Sequence, residues 1–245
     1  MRLLEPLTPD PRAPLARAHP LAKITAALVL MLALFITIDP LTPTLVLTAE
    51  VAAIPLIGIP LRALLRRALP AFIGAIGIGF FNALLSGDVI GGVAIGLRLV
   101  GIALAGIVAV ASIDPTDLAD ALVEHLHAPR RFTVGALAAF RLMPLFADEW
   151  QTIALARRAR GLDNGRLTAF FSMTRSLLVA AIRRATRLAV AMDGRGFADP
   201  GCRTLARPRA IDLRDWSLIV AAVTIALVAS SVSFATGAWR FFLRG

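Results

Sequence analysis

Arginine stands directly before glycine in Ala159-Arg160-Gly161 and again in Gly194-Arg195-Gly196, and each triplet closes a stretch with helical periodicity. A guanidinium stays charged at any relevant pH and can grip a carboxylate through two parallel N–H bonds. Carried at the tip of a helix, it is suited to projecting toward a soluble partner. The same placement has a plainer use, because a cation at a helix C-terminus meets the negative end of the dipole and can bond the last carbonyls. A second set, Asp114, Asp117, Asp120 and Glu124, has the residue types of a metal site or an acid–base centre. Its spacing reads instead as a helix start, with Asp114 as N-cap, Pro115 at the first position and Asp117 near the positive end. Such a helix would bury Leu118, Ala121, Leu122 and Leu126 and end at Pro129. His125 and His127 are two apart, point to different faces and make a poor ligand pair. No metal site is expected.

The elements that position these residues follow from composition. Of 245 residues 58% are hydrophobic, and the mean hydropathy of +0.76 is that of an integral membrane protein. The formal charge of +10 sits in loops flanking apolar runs, which argues against a basic nucleic-acid surface. Cys202, the single cysteine, has no second thiol for a disulfide or a metal. The proline-rich first 20 residues lack the apolar core of a signal peptide and are expected to form a cytoplasmic arm.

The fold expected is an all-α membrane protein with about five transmembrane helices and long amphipathic cytoplasmic helices between the last two. Spans are expected near residues 24–38, 44–59, 69–85, 89–111 and 216–236. Pro70 would open the third, after a basic connector at 60–68. Ala71, Ala75 and Gly79, and Gly92 with Gly96, form small-residue ridges that allow close helix approach, within this chain or to a partner. Residues 1–111 would hold the arm and four spans, 112–215 the cytoplasmic helices, and 216–245 the last span and an outer tail. Trp216 and Trp239 would anchor the last span at the interfaces. The turns near 39 and 87 have no Lys or Arg, which places the N-terminus in the cytoplasm and the C-terminus outside.

Within the cytoplasmic region, 132–146 is expected as a membrane-interface helix and two further helices end at the Arg-Gly triplets. The second carries an apolar stripe from Leu167 through Phe170, Phe171, Leu178 and Leu188 to Met192. Arg157, Arg158, Arg183 and Arg187 form a supporting basic face. Two charges fall inside spans, Glu50 and Arg98. Their similar depth makes them a candidate intramembrane ion pair, with contact to a substrate or partner subunit as the second reading.

The ordered pair of Arg-Gly triplets resembles the double signature of the transmembrane (T) component of energy-coupling factor transporters, the ABC-type importers of vitamins and trace metals. Arg141-Leu142-Met143-Pro144, Asp148-Glu149, Phe197, Pro200-Gly201 and the entry His19-Pro20-Leu21-Ala22-Lys23 extend the likeness over nearly the whole chain. Gly194 departs from it, because the family usually has Ala there. The resemblance implies a non-catalytic subunit whose partners are two ABC ATPases, a substrate-binding membrane S component and the lipid bilayer. By that implication Arg160 and Arg195 sit in grooves of the ATPases. This chain would bind no cofactor, with ATP and Mg on the ATPases, which agrees with its lack of a Gly-x-x-x-x-Gly-Lys-Ser/Thr loop. The alternatives are a conventional ABC permease or, less consistent with the residues, a lipid-headgroup enzyme built on the Asp114–Glu124 set.

Overall fold

The computed structural model describes residues 13, 15, 17–37, 39–58, 60–162, 165–197 and 210–237, apart from the side chain of Arg166. These form helices α1 (Pro20–Ile36), α2 (Leu41–Ile57), α3 (Leu61–Ser86), α4 (Val89–Ala111), α5 (Pro115–His125), α6 (Arg130–Ala159), α7 (Arg166–Asp193) and α8 (Leu213–Ala235). Two compact units divide the chain, one of residues 1–125 with 209–245 and one of residues 126–208. The expected boundary near 112 therefore moves past α5. The reason is packing: Ala121 is buried and the His125 ring meets His19 of α1 edge-on, 4.9 Å between centroids.

In the first unit α3, α4 and α8 are long and apolar enough to cross a membrane, while α1 and α2 are shorter apolar helices of 17 residues each. α4 packs on α1, α2 and α3, and α8 packs on α1 and α2. Leu34, Val46 and Ala229 make one core cluster, and Ile54, Leu64, Leu104 and Ala111 a second. In lipid, helices gain little by hiding apolar surface, so close backbone approach and polar bonds hold them together. A Cβ on Gly79 would lie 2.7 Å from the Gly92 carbonyl oxygen, and one on Gly92 would lie 2.6 Å from the Gly79 oxygen. The small-residue ridges thus serve packing within the chain, between α3 and α4.

Polar bonds tie the helix ends. His19 caps α1, with Nδ1 accepting from the Leu21 N–H at 3.3 Å, and its own N–H donates to Asp215 Oδ1 at 2.6 Å. Asp215 also closes a capping box with Asp212 at the start of α8. Lys23 Nζ donates to the Ser112 carbonyl, 2.8 Å away at the end of α4. Asp39 Oδ2 accepts from the Thr42 N–H, the Thr42 hydroxyl and the Ser233 hydroxyl, which joins the α1–α2 turn to α8. The expected cap at Asp114 is present, its Oδ1 accepting from the Thr116 N–H at 2.7 Å.

Three boundaries differ from expectation. The connector at 60–68 is helical, so Pro70 lies inside α3 instead of opening it. Arg62, Arg66 and Arg67 are good helix formers, and no glycine interrupts them. Likewise 132–146 is no separate helix, because α6 runs on through Pro144. That proline frees the Phe140 carbonyl, and both residues are exposed, where the loss is cheapest. Leu126, expected on the buried stripe of α5, lies beyond its end and is exposed. Trp239, Cys202 and most of the basic return loop lie outside the described residues.

Candidate coupling surface

The second unit is a helical hairpin. α6 and α7, of 30 and 28 residues, are about 45 and 42 Å long at the usual rise per residue. Side chains on both helices hold them together. Arg184 of α7 donates to Glu149 Oε2 at 3.2 Å, and its guanidinium lies over the Phe146 ring at 5.6 Å. The Trp150 and Phe170 rings meet edge-on with centroids 5.7 Å apart. Arg157 donates to the Ser172 hydroxyl at 2.8 Å and to the Leu162 carbonyl at 3.2 Å.

Both helices end in the same way. At α6 the Leu162 N–H donates to the Arg157 carbonyl at 3.1 Å and the Gly161 N–H to the Arg158 carbonyl at 3.0 Å, with Gly161 at φ 65°. At α7 the Phe197 N–H donates to the Met192 carbonyl at 3.0 Å and the Gly196 N–H to the Asp193 carbonyl at 2.9 Å, with Gly196 at φ 72°. Each is a Schellman motif, the paired backbone bonds that close a helix through a left-handed residue. Arg160 and Arg195 occupy the same position, immediately before the left-handed glycine. Backbone N–H groups bond the Arg157 and Arg158 carbonyls at one end and the Met192 and Asp193 carbonyls at the other, with no arginine side chain taking part. Both are exposed, and among the described residues neither side chain has a hydrogen bond or an ion pair.

Ala159 and Gly194 flank these tips. Gly194 has ordinary helical φ, −62°, and a Cβ there would come no nearer than 3.4 Å to the Val190 carbonyl oxygen. The departure from alanine therefore leaves the shape of this helix end unchanged. Of the supporting arginines, Arg158, Arg183 and Arg187 are exposed and unpaired among the described residues. Arg157 instead staples the hairpin. The stripe on α7 is largely uncovered, with Leu167, Phe170, Phe171 and Leu178 all exposed. Sequence reasoning missed the Glu149–Arg184 pair and the Arg157–Ser172 bond, which join residues on separate helices.

The candidate pair of Glu50 and Arg98 does not form. Arg98 donates to the Phe35 carbonyl at 2.6 Å and lies over the Phe35 ring at 5.3 Å. Phe35 is in the last turn of α1, where carbonyls lack an intrahelical partner and attract a guanidinium. Glu50 is buried in α2, with no hydrogen-bond partner among the described residues for either carboxylate oxygen. The same residues contain no cluster of three or more His, Cys, Asp or Glu able to hold a metal.

Fold and site together define a class: an all-α membrane protein with a separate compact hairpin of long helices. The chain belongs to the CbiQ family of cobalt transport proteins, whose model matches residues 11–204. It is similar to the "energy-coupling factor transporter transmembrane protein EcfT" of several bacteria. The Staphylococcus aureus protein is 31% identical over 135 residues, 49% of this chain and 50% of the relative. That of Bacillus subtilis is 30% identical over 162 residues, 61% of each, and that of Heliobacterium modesticaldum 26% over 238 residues, 85% and 89%. The chain thus matches half of the first relative's length. The likeness to T components that the motifs carry extends across family and relatives, and marks a transmembrane component of such transporters.

Proposed function

We propose that this chain couples ATP hydrolysis by two ABC ATPase subunits to uptake of a micronutrient, a vitamin or transition metal, through a separate substrate-binding S component. One observation carries this reading: two arginines, exposed and unpaired among the described residues, occupy equivalent caps at the ends of the two helices of one hairpin. Arg160 precedes α7 and Arg195 follows it, so the tips are on the order of 40 Å apart by the length of that helix. Such spacing suits two separate partner subunits better than one. A guanidinium held by a backbone-closed cap keeps its fork free for a partner carboxylate or carbonyl. The staples between α6 and α7 let the hairpin move as a lever, so that closure of the ATPases at its tips becomes displacement in the membrane. The family and relatives named for transport support this direction of function. The proposed orientation has the N-terminus and the basic start of α3 in the cytoplasm and the C-terminus outside.

The test is uptake by cells expressing the whole transporter. Arg160→Glu and Arg195→Glu, each alone, are expected to abolish uptake while the purified chain keeps its thermal midpoint. Wild-type uptake by either variant would contradict the proposal.

A further inference from the structure

Helices α1, α2, α4 and α8 do not close fully on one another. They leave a cavity of about 420 Å³, within the range of small-molecule sites. Alanines make up nearly half of the lining, among them Ala26, Ala53, Ala105 and Ala222, one from each helix, and most of the rest is Leu, Ile and Val. Two charged residues reach this space, Lys23 and Glu50. The ammonium of Lys23 is engaged by the Ser112 carbonyl at the end of α4.

Glu50 differs. It is 8% exposed, and among the described residues its Oε1 and Oε2 have no hydrogen-bond partner and no ion pair. Buried acceptors are almost always satisfied, because leaving them dry is expensive. Here a partly open apolar cleft of ligand size is lined by a carboxyl that the described residues leave unsatisfied.

We propose that this cavity is a binding site for an apolar molecule whose head donates hydrogen bonds to Glu50, a primary amine or an alcohol on an alkyl tail. The alanine wall takes the tail without demanding a particular shape. The carboxylate selects the head: an ammonium supplies donors and opposite charge, and a hydroxyl supplies one donor. An alkyl carboxylate offers Glu50 neither an N–H donor nor an opposite charge.

The experiment follows the thermal midpoint of the full chain in a mild detergent while decylamine, decanol or decanoate is titrated. Decylamine is expected to raise the midpoint saturably, at a concentration about tenfold below decanoate, the least that one charge-assisted bond provides. Decanol should fall between them. Glu50→Leu removes an unsatisfied carboxylate, so it should keep or raise the unliganded midpoint while losing the preference for the amine. Glu50→Gln, of the same shape and still an acceptor, should keep the response to decanol. Ala105→Phe should fill the cavity and abolish all three responses. No rise with decylamine, equal rises with all three probes, or a preference that survives Glu50→Leu would each overturn the proposal.

Discussion

Gly161 and Gly196 carry the two arginine tips through a left-handed backbone, at φ 65° and 72°. An alanine in that conformation costs about 1 to 2 kcal/mol. Gly161→Ala and Gly196→Ala should therefore each lower the thermal midpoint and loosen the adjoining arginine. Gly194→Ala, at a helical φ with room for its Cβ, should be neutral or stabilising by about 0.5 kcal/mol, since it restricts the unfolded chain. Three melting curves decide this. These caps were legible in the sequence because a Schellman motif is local: a glycine after a periodic run announces it. The Glu50–Arg98 contact was misjudged for the converse reason. Counting residues gives depth along a helix but not rotation about it, and α1 offered Arg98 a free terminal carbonyl that no local pattern reveals.

Among elements, the α3–α4 hairpin depends on glycine at two places and not at two others. Gly79→Ala and Gly92→Ala would drive a methyl group into facing backbone, 2.7 and 2.6 Å from carbonyl oxygens, and should cost about 1 to 3 kcal/mol as overpacking. Gly74→Ala and Gly77→Ala meet nothing within 4 Å and should be neutral or stabilising by up to about 1 kcal/mol, through helix propensity. Thermal unfolding of the four variants in one detergent separates the pairs. The ridges were visible in sequence, but which helix each one faces was not, since glycine spacing gives a face and no partner. Helix ends were similarly mixed. Local caps at Asp114, Gly161 and Gly196 were readable, whereas Pro70 looked like a helix start and lies inside a helix, as Pro144 also does. The exposed carbonyl freed by Pro144 shows why: a helix already stabilised on both sides tolerates one lost bond.

At the scale of the whole molecule, the apolar bundle and the hairpin have different chemistry. The bundle is held by alanine and glycine contacts and by buried ties such as Lys23 to Ser112 and Asp39 to Ser233. Asp39 and Ser233 are far apart in sequence, so that tie was out of reach of any reading of local pattern. The proposed orientation predicts that a cysteine placed at Arg66, in a chain with Cys202 replaced by Ala, is protected from a membrane-impermeant thiol reagent in intact cells, while one at Ser86 is labelled. The reverse pattern would invert the topology.

The hairpin carries its arginines outward and leaves its apolar stripe uncovered, as a surface built for association would. The most direct measurement is affinity purification of the assembled transporter from cells that express it, with the ATPase content per chain determined. The wild-type chain should retain two ATPase subunits, and the Arg160→Glu, Arg195→Glu double variant should retain few or none while still purifying with its membrane partner. Undiminished ATPase content in the double variant would contradict the central claim.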